Sequence, residues 1–120
     1  MEYKVIFHID ESAKWRLLLG NVENLLNASA HMTVEVLANG EAVLQYAADG
    51  KAGPEYGADG LSAQKMALLH GKGVVFAACR NAMKANGLTE DNLMVFVTTV
   101  PAGVMELVEK QAQGYGYIKP

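Results

Sequence analysis

The sequence predicts a three-layer α/β domain with a mostly parallel sheet of about five strands. Short apolar runs rich in β-branched residues alternate with segments of helical period, the pattern of successive βαβ units with helices on both faces. Glycines mark the ends of the helical segments, at Gly71, Gly73, Gly87 and Gly114. The chain has 120 residues, 51% of them hydrophobic, which is enough for one core. With no internal boundary in composition, residues 1–120 read as a single domain.

Taken in order, "YKVIFHI" at 3–9 reads as a buried first strand. Ser12 is placed to cap a helix in which Trp15, Leu18, Leu19, Val22, Leu25 and Leu26 recur at helical spacing, running to about Ala28. "MTVEVLA" at 32–38 is the second strand, closed by Asn39-Gly40 and followed by a short helix over 41–46. Residues 47–60 are rich in Gly, Ala and Asp and lack an apolar period, as a lid or a disordered segment does. A helix over 61–70, a strand "VVFAA" at 74–78 and a helix from Arg80 to Asn86 follow. "LMVFVTT" at 93–99 predicts the fourth strand. Pro101 opens a helix carrying Val104, Leu107 and Val108 on one face, and "YGYIK" at 115–119 is a short last strand.

Composition excludes several functions. The net charge is −3 and there is no run of Lys or Arg, so nucleic acid is not an expected partner. No apolar stretch approaches the roughly 18 residues a membrane span needs, and the start has no signal-peptide pattern. A single cysteine makes neither an internal disulfide nor a metal pair. A reducing cytoplasm is the expected home, with Cys79 a free thiol.

Cys79 falls where the third strand stops and a helix starts. In parallel α/β sheets, ligands bind beyond the carboxyl ends of the strands, near the topological switch point. The unpaired N–H groups and dipole of the following helix favour negative charge there, and Arg80 could add to it. The position therefore suits a nucleophile or a sulfur carrier, although a free cysteine also serves as core filling. Named chemistries can be tested against the spacing. A low-molecular-weight phosphatase or arsenate reductase loop needs Cys, five residues and Arg, but Ala85 stands in the Arg place. A thioredoxin-like site needs a second Cys where Ala82 stands. A response-regulator receiver would match the acidic pair Asp10 and Glu11, yet its phosphoacceptor position holds Cys79. "IDESAKW" is not a flavodoxin-type phosphate loop, and no GxGxxG or GxxxxGK[ST] occurs.

The three histidines show no metal-ligand spacing, so no metal and no organic cofactor is expected. His8 lies at the mouth of the first strand and could reach the rim, whereas His31 and His70 fit surface capping. The acidic residues are scattered and read as a solvated face. "TTVPAGV" at 98–104 is a second candidate corner. Pro101 and Gly103 open a helix whose free N–H groups would lie beside Cys79 if strands three and four are neighbours. Both corners also admit ordinary structural readings.

The chain resembles the DsrE/DsrF-like family of sulfur-handling proteins, in its small single-domain branch. The resemblance is carried by "FHIDE...W", "LLLGNVENLL", "ACRNAMKANGL" and, most specifically, "VPAGVMELVEKQAQGYGYIKP". It implies a flavodoxin-like sheet and homo-oligomers, commonly trimers or hexamers. In sulfur-transferring members, a cysteine matching Cys79 carries a persulfide between donor and acceptor proteins. Location alone adds His8, Asn39, Asn81, Pro101 and Gly103 as rim residues. The leading expectation is a sulfur carrier or sulfurtransferase-like protein. Its rivals are a non-catalytic oligomeric module binding a small anion or metabolite, and a structural partner subunit.

Overall fold

The computed structural model describes residues 1–48 and 60–120. Five strands, β1 (Tyr3–Ile9), β2 (Met32–Ala38), β3 (Val75–Cys79), β4 (Thr98–Val100) and β5 (Gly116–Ile118), form one sheet in the order β4-β3-β2-β1-β5. Every neighbouring pair is parallel, so the sheet expected to be mostly parallel is wholly so. The helices are α1 (Trp15–Ala28), α2 (Gly60–Gly71), α3 (Arg80–Ala85) and α4 (Gly103–Ala112), with 3-10 turns at Ser12–Lys14, Gly40–Tyr46 and Glu90–Asn92. Among the described residues no helix is long and apolar enough to cross a membrane.

The two faces of the sheet are covered unequally. Alternate strand residues Val5, Phe7, Ile9, Val34, Val36 and Phe76 pack with Trp15, Leu18, Leu19 and Val22 of α1 and with Met66 and Leu69 of α2 in the larger core. On the opposite face Ile6, Leu37 and Ala77 meet Leu107, so α4 covers this side. Helices on both faces make the three layers. Trp15 and Tyr46 tie the larger core to backbone: the indole N–H donates to Ala42 O at 3.1 Å and the phenol to Val36 O at 3.0 Å.

Several local expectations are corrected. The apolar run 93–99 is not a full strand. Leu93 bridges to Ala47, Met94 N–H donates to Tyr46 O at 3.0 Å, and Val97 N–H donates to Met94 O at 3.1 Å, which closes a turn. Phe96 stacks on His70 at 5.2 Å and meets Phe76 edge-on at 5.9 Å. These residues plug the corner beside Gly40–Tyr46 and leave only Thr98–Val100 to pair with β3. Ser12 does not cap α1; its hydroxyl donates to Glu41 O at 3.1 Å and its N–H to Glu41 Oε1 at 3.1 Å, tying the first turn to the segment after β2. Glu35 does not belong to a solvated face. It is 5% exposed, because β2 is the central strand and α4 lies over it. The expected lid over 47–60 falls mostly on 49–59, outside the described residues.

Candidate functional site

Cys79 ends β3 and caps α3. Its extended backbone turns the side chain over the start of the helix, where Sγ accepts the Ala82 N–H at 3.5 Å. A second donor arrives from across the sheet. The chain leaves β3 into α3 on the larger-core face and leaves the neighbouring β4 into α4 on the other face, so the two connections diverge around Cys79. This is the topological switch point. The Gly103 N–H at the start of α4 donates to the same sulfur at 3.2 Å. A neutral thiol is a weak acceptor, so two N–H donors converging on one sulfur form a site better matched to a sulfur bearing charge.

Gly103 allows that approach. A Cβ built on it would stand 3.0 Å from Leu37 Cδ1, 3.2 Å from Cys79 Cβ and 3.4 Å from Asn39 Cβ. The last two contacts show that Asn39 and Cys79 flank the same point. Register gives the reason: Ala38 pairs with Ala78, so Asn39, the residue just past β2, comes beside Cys79, the last residue of β3. His8, on the next strand, bonds Asn39 Oδ1 through Nε2 at 2.9 Å and the Tyr117 hydroxyl of β5 through Nδ1 at 2.7 Å. Tyr117, His8, Asn39 and Cys79 thus occupy consecutive strands β5, β1, β2 and β3, in a row running from a partly exposed phenol to a thiol only 6% exposed.

The sequence matches the DsrE/DsrF-like family over residues 4–120. The chain belongs to that family. Among solved structures, it is similar to the protein MTH1491 of Methanobacterium thermoautotrophicum, described as of unknown function. The two are 32% identical, with 99% of this chain and 100% of that one covered and a TM-score of 0.85. BT1422 of Bacteroides thetaiotaomicron, also of unknown function, shares the fold at 14% identity, with coverages of 98% and 94% and a TM-score of 0.66. No curated protein matches.

In this DsrE-like chain, four of the six residues expected at the rim come together: Cys79, Gly103, Asn39 and His8. Pro101 is exposed in the bend before α4. Asn81 is exposed on the first turn of α3 and is joined to the row by no hydrogen bond among the described residues. Arg80 does not add charge at the sulfur as expected; its guanidinium turns to Glu90, with Nε at 3.2 Å and Nη2 at 3.1 Å from Oε1, and to Thr99. His70 stacks on Phe96 and bonds Val74 O through Nδ1 at 3.2 Å, a structural role. Among the described residues, no group of three His, Cys, Asp or Glu could hold a metal ion. Clefts of about 210 Å³ beside Arg16 and Lys65 and of about 450 Å³ along β4 are not lined by Cys79.

Two polar residues, one in the row at the site and one beneath α4, were not singled out by the sequence. Tyr117 read only as part of a last strand, because nothing local marks a phenol as the partner of a histidine 109 residues away. Glu35 carried a usable signal, a lone charge inside an apolar strand. Its Oε1 lies 3.6 Å from Lys110 Nζ of α4, and its buried Oε2 has no donor among the described residues. Burial pushes the Glu35 carboxyl up to about 8, the facing Glu106 carboxyl adds to this, and Lys110 opposes it. Burial and the neighbouring Glu106 carboxyl both favour the protonated form of Glu35.

Proposed function

We propose that this chain is a sulfur carrier of the sulfurtransferase type, holding a persulfide on Cys79 for transfer to a partner. The observation that carries the reading is the convergence of the Gly103 and Ala82 N–H groups on the chain's one thiol, at the switch point of the sheet. Membership in a family associated with sulfur relay supports it. The Cys79 thiolate attacks the outer sulfur of a donor persulfide, the donor S–S bond breaks, and the donor leaves as its thiolate. Cys79 then carries an S–SH group. An acceptor thiolate takes the outer sulfur in the same way and returns the Cys79 thiolate, with no net oxidation. The burial of Cys79 suits a cargo of one atom, since the added sulfur projects about 2 Å beyond Sγ.

The partners in this reading are a donor and an acceptor protein, and the working form is a homo-oligomer, a trimer or hexamer as the family resemblance implies. Sedimentation velocity tests the assembly; a monomer across the micromolar range would remove that part. The carrier step is tested by intact mass. Reduced protein incubated with a polysulfide should gain sulfur that thiol reductant removes, and Cys79→Ser should gain none. Equal gain in that variant would overturn the reading. No gain in the wild type, with unchanged binding of small anions in Cys79→Ala, would leave a binding module.

A further inference from the structure

The backbone donors at Cys79 reach Sγ itself, and an outer sulfur lies beyond them. A polar side chain close by is Asn39, which follows β2 directly and flanks the Gly103 approach together with Cys79. We propose that Tyr117 and His8 are positioning residues that hold the Asn39 carboxamide by its Oδ1 and so leave Nδ2 available to a charged or persulfidic sulfur on Cys79, as a third donor beside the Ala82 and Gly103 N–H groups. Its use in sulfur transfer rests on the carrier reading, while the arrangement itself does not.

The chemistry of the partners gives the row a direction. Asn39 Oδ1 can only accept, so His8 Nε2 must carry the hydrogen at the 2.9 Å contact. With the single ring hydrogen on Nε2, Nδ1 presents a lone pair to which the Tyr117 hydroxyl, 2.7 Å away, can donate. With Oδ1 committed to His8, the Asn39 amide hydrogens are left available to the sulfur. Without the phenol hydroxyl, the ring is free to move its hydrogen to Nδ1. Nε2 would then accept, and the carboxamide would turn end for end and set Oδ1 against the sulfur. A change at Tyr117 on β5 is therefore read at Cys79, two strands beyond its own neighbour β1.

The test is the rate of Cys79 alkylation by iodoacetamide at neutral pH, with nitrogen-15 NMR of the His8 ring. Asn39→Leu should slow alkylation about tenfold, the worth of one hydrogen bond to a charged group. Tyr117→Phe, which removes one hydroxyl from a partly exposed side chain, should slow it several-fold and move the ring hydrogen from Nε2 to Nδ1. The double variant should be no slower than Asn39→Leu alone, because Tyr117 acts through Asn39. His8→Gln, which can still donate to Oδ1, should keep most of the rate that His8→Phe loses. Additive effects of the two single changes, or a wild-type rate in Tyr117→Phe, would overturn the proposal. Alkylation needs no sulfur donor, so this pattern without sulfur loading would remove only the carrier reading. Loading without the pattern would remove only the positioning row.

Discussion

A methyl group on Gly103 would press on Leu37, Cys79 and Asn39 together, the nearest contact being 3.0 Å. Gly103→Ala should therefore push the start of α4 outward by a few tenths of an ångström and lengthen its bond to the sulfur. Overpacking of this kind costs about 1–3 kcal/mol, partly offset by the lower freedom of alanine in the unfolded chain. The expected outcome is a destabilisation of about 1 kcal/mol in urea with a larger loss of sulfur loading. Unchanged loading would mean that the Gly103 donor is not used. Cys79, Gly103, Asn39 and His8 were legible in the sequence because each lies at or within one residue of the end or start of an element at the carboxyl edge of a parallel sheet. Tyr117 was not, because its role depends on β5 returning beside β1 instead of continuing outward from β4.

Among elements, α4 joins the weaker face of the fold to the site. Leu107 is its buried apolar side chain, against Ile6, Leu37 and Ala77, while Val104, Met105 and Val108 are exposed. Leu107→Ala should destabilise the chain by about 2–4 kcal/mol, as for other buried leucines. Hydrogen exchange should rise in α4 before it rises in α1, whose Trp15, Leu18, Leu19 and Val22 sit in the larger core. Simultaneous exchange in both helices would show that the two faces unfold as one unit. Element types were readable from period and punctuation almost throughout, and the failure at 93–99 is instructive. An apolar run of strand length can equally fill a corner, and only the partners on offer decide. Here Tyr46 O, Ala47, His70 and Phe76 take Leu93, Met94 and Phe96 before β3 can pair with them.

For the whole molecule, the central strand carries a carboxyl into the interior, and this makes stability depend on pH. Glu35 titrates near 8 in the folded chain against a reference of 4.5, chiefly through burial and then through Glu106. A raised carboxyl means that the folded state binds the proton more tightly. Its contribution is thus fully present below 4.5 and is lost as pH climbs through about 8. Linkage across that interval amounts to at most about 5 kcal/mol, the opposing pull of Lys110 being already contained in the raised value. Urea unfolding of the wild type should show a midpoint that falls across this window, in addition to the contributions of surface groups. Glu35→Gln keeps the shape and donates permanently to the Glu106 carboxylate, while its carbonyl still accepts from Lys110. That variant should unfold at nearly the same urea concentration on both sides of the window and should exceed the wild type on the alkaline side. A wild-type slope in Glu35→Gln would assign the pH dependence to other groups and leave Glu35 ionised beside Lys110. Because α4 lies over Glu35 and also brings Gly103 to the sulfur, alkaline loosening of this helix should weaken sulfur loading before the chain unfolds, in the wild type and not in Glu35→Gln.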